Sequence, residues 1–144
     1  MFSIDEWQKK GDYLSNDGRR IFYIDTNLEA PQITEKETKE TILLIHGFPT
    51  SSWDWAKIWT PLSEKYHLIA MDMLGFGLSD KPDPHDYSIH EQADIVEALI
   101  EKLGLTTFHV LAHDYGDTVA QELLARQNAG TGRGDWKSIC FLNG

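Results

Sequence analysis

The residues with the clearest chemical potential lie in the hexapeptide AHDYGD, 112–117. Ala112 and Gly116 stand two places before and two places after Asp114. Small residues there let a strand turn sharply into a helix, with the middle side chain on an exposed, strained corner. This is the layout of a nucleophile elbow, with Asp where Ser is usual. The following helix aims its first N–H groups and its positive end at the same corner. A second reading stands beside the first. Asp is among the best helix N-caps, and Asp117, three places on, could complete a start resembling a capping box. His113 reads as structural, because neighbours on a tight turn point apart.

The peptide HGFP, 46–49, adds a second chemical element. Gly47 permits close backbone approach, and Pro49 stiffens the turn without donating a hydrogen bond. Such a loop can offer the amide of Phe48 as one oxyanion donor, with the amide of Tyr115 as the other. Each donor of this kind is worth roughly 3–4 kcal/mol of transition-state stabilisation. Taken alone, HGFP also reads as an ordinary strand-to-helix loop around a buried Phe.

A carboxylate with a reference pKa of about 3.9 is ionised at neutral pH and attacks without a base. It could displace a leaving group at a saturated carbon, leaving an ester on Asp114. Hydrolysis of that ester needs a histidine base oriented by an acid. None of the six histidines reads as that base. His46 belongs to the HGFP loop, His113 to the elbow, and His67 and His109 to strands. His85 and His90 are expected near a helix start, facing solvent.

These groups need a frame. TILLIHG (41–47) and HLIAMDM (67–73) are short apolar runs, as strands buried on both faces require. RRIFYIDT (19–26) reads as a strand that pairs with KKGDYLS in a hairpin, and the polar stretch 29–40 as a surface loop. SSWDWAKIWTPLSEKY predicts a helix opening on a Ser cap. In residues 87–104, Ile89, Ala93, Val96, Ile100 and Leu103 form a helical stripe, with Ser88 to cap it and Gly104 to end it. A strand over 106–112, a helix over 115–128 and a last strand in WKSICFLNG follow. The alternation predicts an α/β fold, a mostly parallel sheet with helices on both faces. HGFPTSS, DMLGFGLSD and AHDYGD then all fall at carboxyl ends of strands, where ligands of open α/β sheets bind.

Composition narrows the partners. Hydrophobic residues make up 41% and charged residues 25% of 144, the mix of a soluble globular domain. A net charge of −10 repels nucleic acid and anionic membrane surfaces. Cys140 is the only cysteine, so no intrachain disulfide forms. No apolar run approaches the roughly 20 residues of a membrane span, and the start lacks a signal-peptide layout. A cytoplasmic location is expected. GTGRG, 130–134, precedes a strand, so it lacks the strand-to-helix context of a phosphate loop. Ser79, in GLSDK, lacks the second small residue of a serine elbow and does not follow a strand. No metal-ligand spacing is present, and no cofactor is expected.

LLIHGFPTSSWDW, DMLGFGLSDKP, YSI and HVLAHDYGDTVAQELLAR together resemble the α/β-hydrolase fold family, in its aspartate-nucleophile branch of epoxide hydrolases and haloalkane dehalogenases. The resemblance implies that Asp114 is the nucleophile and that Phe48 and Tyr115 give the oxyanion amides. It makes His46, Gly47 and Pro49 the loop that shapes the hole, with Ala112, His113 and Gly116 forming the elbow. Asp72, Gly75, Gly77 and Ser79 match a structural turn near the site. A small apolar substrate is implied.

Three departures bear on the activity. Haloalkane dehalogenases usually carry Asn at the place of Phe48 and Trp at that of Tyr115, side chains that cradle the halide. Epoxide hydrolases share the HGFP loop, which favours epoxide opening over a dehalogenase-like reaction. They too usually carry Trp at the place of Tyr115, and they have Gly where this chain has Asp117, so like-charge repulsion from that extra carboxylate should raise the pKa of one of the two. In this family the acid and the histidine follow the sixth strand. The chain is therefore expected to be the N-terminal part of one domain, strands one to six of eight, completed by a missing C-terminal segment. The rival expectation is a non-catalytic binding module on the same fold.

Overall fold

The structure, a computed structural model, describes residues 1–29 and 39–144. In chain order its elements are α1 (Ile4–Lys9), β1 (Gly11–Asn16), β2 (Arg19–Asp25), α2 (Thr26–Glu29), β3 (Thr41–Ile45), α3 (Ala56–Ser63), β4 (His67–Met71), α4 (Ile89–Leu103), β5 (Thr107–His113), α5 (Tyr115–Asn128) and β6 (Asp135–Leu142). The sheet runs β1-β2-β4-β3-β5-β6. β4, β3, β5 and β6 are parallel, and the β1–β2 hairpin joins β4 antiparallel. The two apolar runs are the central strands, paired Leu43 to Ile69 and Leu44 to Ala70.

Strand alternation divides the core into two layers. Leu43, Ile45, Ile69 and Met71 pack with Val96, Ile100, Val119 and Leu123 of α4 and α5. Leu44, Leu68 and Ala70 face the other way, towards Trp7, Trp55 and Trp59. Full burial of one such aliphatic side chain contributes about 1.5–3 kcal/mol.

The helix expected over 87–104 is α4, with the Ser88 hydroxyl accepting from the Glu91 N–H and Gly104 in the left-handed conformation at its end. Its buried face is wider than the stripe, because Gln92, Ile95 and Leu99 also turn inward. SSWDWAKIWTPLSEKY is not one helix. A 3-10 turn over Ser52–Trp55, capped by the Ser51 hydroxyl, precedes α3. α1 has no counterpart in the sequence reading, since six residues are too few to display a helical period. Its signal is the Ser3–Glu6 capping box, in which the Glu6 carboxylate accepts the Ser3 N–H at 2.8 Å. Residues 30–38 of the expected surface loop lie outside the described residues.

Candidate active site

β5 runs straight into the corner at Asp114, where φ is 52° and ψ is −117°. A non-glycine residue holds such a backbone only when its surroundings enforce it. Here the Asp114 N–H donates to the Leu142 carbonyl at 3.1 Å, and the Asp114 carbonyl accepts the Asp117 N–H at 2.8 Å. Two glycines make room for the corner. A Cβ on Gly47 would stand 2.6 Å from the Asp114 Cβ, and one on Gly116 would collide with the carbonyls of Ile45 and His46. Ala112 is fully buried opposite Ile45, the last residue of β3.

The structure brings Phe48, Asp114 and Tyr115 together. Oδ1 of Asp114 accepts the N–H of Phe48 at 2.8 Å and that of Tyr115 at 2.6 Å. The Phe48 amide, then the Tyr115 amide, hold the Asp114 carboxyl below the usual carboxylate range. No described residue hydrogen-bonds to Oδ2. The carboxylate is thus ionised, oriented through one oxygen and open through the other. The cap and the corner are one arrangement, because the side chain that caps α5 is also the one presented.

His46 is buried and fixes the HGFP loop from beneath. Its Nδ1 donates to the Gly47 carbonyl at 2.8 Å, and its Nε2 accepts the Met73 N–H at 3.0 Å. That pattern requires the neutral ring protonated on Nδ1, and burial lowers its pKa accordingly. Asp72 holds the neighbouring loop. Its two oxygens accept the N–H groups of Ser52 and Leu78, each at 2.7 Å, and Gly77 leaves space for its carboxylate. Ser79 donates to the Asp72 carbonyl at 2.6 Å and accepts the Phe22 N–H at 2.9 Å.

Asp117 corrects two expectations. It completes no capping box, since the Asp114 N–H goes to Leu142. The residue is 1% exposed, and neither carboxyl oxygen has a hydrogen-bond partner among the described residues. Its pKa is raised, chiefly by burial, with repulsion from Asp114 the smallest cause. Burial, more than like charge, separates the two groups.

His85 is also not a solvated side chain. It packs on Tyr87 and contacts Glu91 at 2.8 Å and Arg19 at 3.3 Å. His90 is on the surface of α4, its side chain 75% exposed. His67 lies between Asp25 and Thr41, and His109 meets Ser138. No histidine hydrogen-bonds to Asp114 among the described residues.

The sequence reading missed Phe76. Its ring lies 6.2 Å from that of Phe48, 5.9 Å from Tyr115 and 5.3 Å from His46. Gly75 and Gly77, both at positive φ, turn the chain sharply around it. A Phe between two such glycines was the available signal. Phe48 itself is 68% exposed, so the expectation of a buried ring at HGFP does not hold. Among the described residues, no three His, Cys, Asp or Glu side chains could hold a metal, and no helix is long and apolar enough to cross a membrane.

Known proteins share this fold. Residues 40–129 match the alpha/beta hydrolase fold family. The chain is 50% identical over 147 aligned residues to the mesoderm-specific transcript homolog protein of Bos taurus, covering 99% of this chain and 42% of that protein. It is 37% identical to the putative hydrolase LipZ of Mycobacterium tuberculosis, covering 99% of this chain and 46% of that one. A loop variant of the haloalkane dehalogenase DbeA from Bradyrhizobium elkanii superposes with a TM-score of 0.73 at 30% identity, over 91% of this chain and 39% of that structure. The chain spans less than half the length of these relatives. With the sheet order, the elbow and the sequence match in agreement, the chain belongs to the α/β-hydrolase fold family.

Proposed function

We propose that this chain is the nucleophile-bearing part of a hydrolase that works through a covalent ester on Asp114, in the manner of an epoxide hydrolase. The observation that carries the reading is the Asp114 carboxylate itself. Oδ1 is held by two main-chain amides while Oδ2 is left open. In the first step Oδ2 attacks an electrophilic carbon of a small apolar substrate. In the second, water attacks the Asp114 carbonyl carbon, and the Phe48 and Tyr115 amides bear the negative charge that develops on Oδ1.

The second step requires a histidine and an orienting acid. We assign them to residues outside these 144, in a C-terminal part of the same domain. Support comes from the histidines described, none of which reaches Asp114, and from the greater length of the relatives. Epoxide opening is preferred to halide displacement because the Phe48 side chain has no donor with which to hold a departing halide.

Incubation of the full-length protein with an epoxide, followed by acid quench and peptide mass mapping, tests this. An added mass on the peptide carrying Asp114 is expected. Enzyme-dependent epoxide loss with no label on Asp114 at any quench time would refute the covalent route. Catalytic inertness with unlabelled Asp114 would leave a binding module on a hydrolase fold.

A further inference from the structure

Gln92 is a polar side chain buried among apolar ones. α4 turns Ala93, Ile95, Val96 and Leu99 into the core, and Gln92 turns in with them, 1% exposed. A buried amide is costly unless its groups are hydrogen-bonded. Here both partners belong to one residue. Oε1 accepts the Leu74 N–H at 3.1 Å, and Nε2 donates to the Leu74 carbonyl at 2.9 Å. Leu74 is itself fully buried, so neither group can turn to water instead. Gln92 thus fixes the peptide units on both sides of Leu74, in the loop that follows β4.

The aim of an oxyanion donor hangs from that loop. One residue before Leu74, the Met73 N–H is held by Nε2 of His46. Nδ1 of the same ring donates to the Gly47 carbonyl, and the N–H of that same peptide unit is the Phe48 amide on Oδ1 of Asp114. From Gln92 to Oδ1 the links are hydrogen bonds and short spans of main chain, with no gap. Gln92 also adjoins the residue that supplies the second amide. Burial raises the pKa of the Tyr115 phenol, and the Gln92 amide beside it acts in the opposite direction.

We infer that Gln92 is a positioning residue that aims the oxyanion amides, and that it serves hydrolysis of the Asp114 ester but not its formation. The inference rests on the proposed covalent reading. The two steps ask opposite things of the amides. In the free carboxylate they hold negative charge on Oδ1, and attack by Oδ2 draws that charge away, so looser amides do not slow it. In hydrolysis, water gives a proton to the histidine assigned above, and its oxygen bonds to the carbonyl carbon. The carbonyl electron pair moves onto Oδ1, where aligned amides lower the barrier. Collapse then breaks the bond from that carbon to Oδ2. Oδ2 leaves with the product as its hydroxyl, taking the proton from the histidine, and the new carboxylic acid ionises.

The test uses the full-length protein, with phenyloxirane and butyloxirane as probes, and the variants Gln92→Met and Gln92→Glu. Gln92→Met keeps the volume and removes both hydrogen bonds. Gln92→Glu keeps an acceptor for the Leu74 N–H, and it carries the test if Gln92→Met fails to fold. Rapid quench with mass mapping gives the second-order rate constant for labelling of Asp114 and the first-order rate constant for loss of the label. Loss should slow by roughly tenfold, less than removal of a whole oxyanion donor, while labelling stays within about twofold of the parent. A first-order constant does not depend on how much protein is folded, so partial unfolding cannot imitate this result. Label lost at the parent's rate, or labelling slowed as much as loss, overturns the positioning role and leaves the nucleophile standing. No label and no consumption of either epoxide by the parent removes the covalent reading and this inference with it.

Discussion

The Nε2 of His46 accepts the main-chain N–H of Met73 at 3.0 Å, and its Nδ1 donates to Gly47 at 2.8 Å. One buried ring thereby ties the loop after β3 to the loop after β4 and fixes where the Phe48 amide points. Each buried backbone group left without its partner costs about 1–3 kcal/mol. His46→Ala orphans the Met73 N–H, while the Gly47 carbonyl keeps the Thr50 N–H, so it should lower unfolding free energy by about 1–3 kcal/mol, as read by denaturant titration. Any hydrolysis of epoxide should fall with it, because one amide loses its aim.

Gly116 seats α5 against the carbonyls of Ile45 and His46. Gly116→Ala should destabilise the fold by about 1–3 kcal/mol, since the clash is with backbone that cannot rotate away. Thermal unfolding of the variant checks this. A melting temperature equal to that of the parent would contradict the packing described.

Asp117 has a folded pKa raised by burial. Its neutral form is favoured by folding, so its contribution to stability is full below the unfolded value of about 3.9 and is lost as pH rises towards the folded pKa. Asp117→Asn removes this titration. The stability of the variant relative to the parent should climb as pH is raised from about 4 and then level off. Paired urea titrations across that range measure the difference directly, and a difference independent of pH would show that the carboxyl is not perturbed.

The opposite sign applies to Asp114, whose folded pKa is lowered by the Phe48 and Tyr115 amides. Its contribution to stability is present above the unfolded value and lost as pH falls through the folded one. Labelling of Asp114 by an epoxide should accordingly keep its neutral-pH rate down to about pH 3.9, with the acid limb below that. An acid limb centred above pH 5 would point to a different ionising group.

Arg126 joins α5 to α4 through Asp94 at 2.7 Å, Glu97 at 2.9 Å and Glu122 at 2.9 Å. Its guanidinium is largely shielded, and Glu97 and Glu122 are more than two-thirds covered. Arg126→Met leaves the carboxylates facing one another and should cost about 2–4 kcal/mol at neutral pH. Urea unfolding curves of the variant and the parent at pH 7 measure the difference, and equal midpoints would contradict the cluster described.

Local pattern alone carried a good deal of this protein. The period of α4, its Ser88 cap and Gly104 end, the apolar runs of β3 and β4, and the small–Asp–small spacing of the elbow are all written in consecutive residues. Such features are legible because neighbours in sequence decide them.

The rest needed the tertiary structure. Phe48 and Asp114 are 66 residues apart, and only the parallel pairing of β3 with β5 sets the amide of one against Oδ1 of the other. The pairing of β3 with β4 sets His46 against the Met73 N–H, and packing of the loops at that edge decides that Phe76 bridges two rings and that Asp117 is buried. Charge, protonation and stacking depend on which groups long-range packing brings within a few ångströms, and no short stretch of sequence encodes that distance.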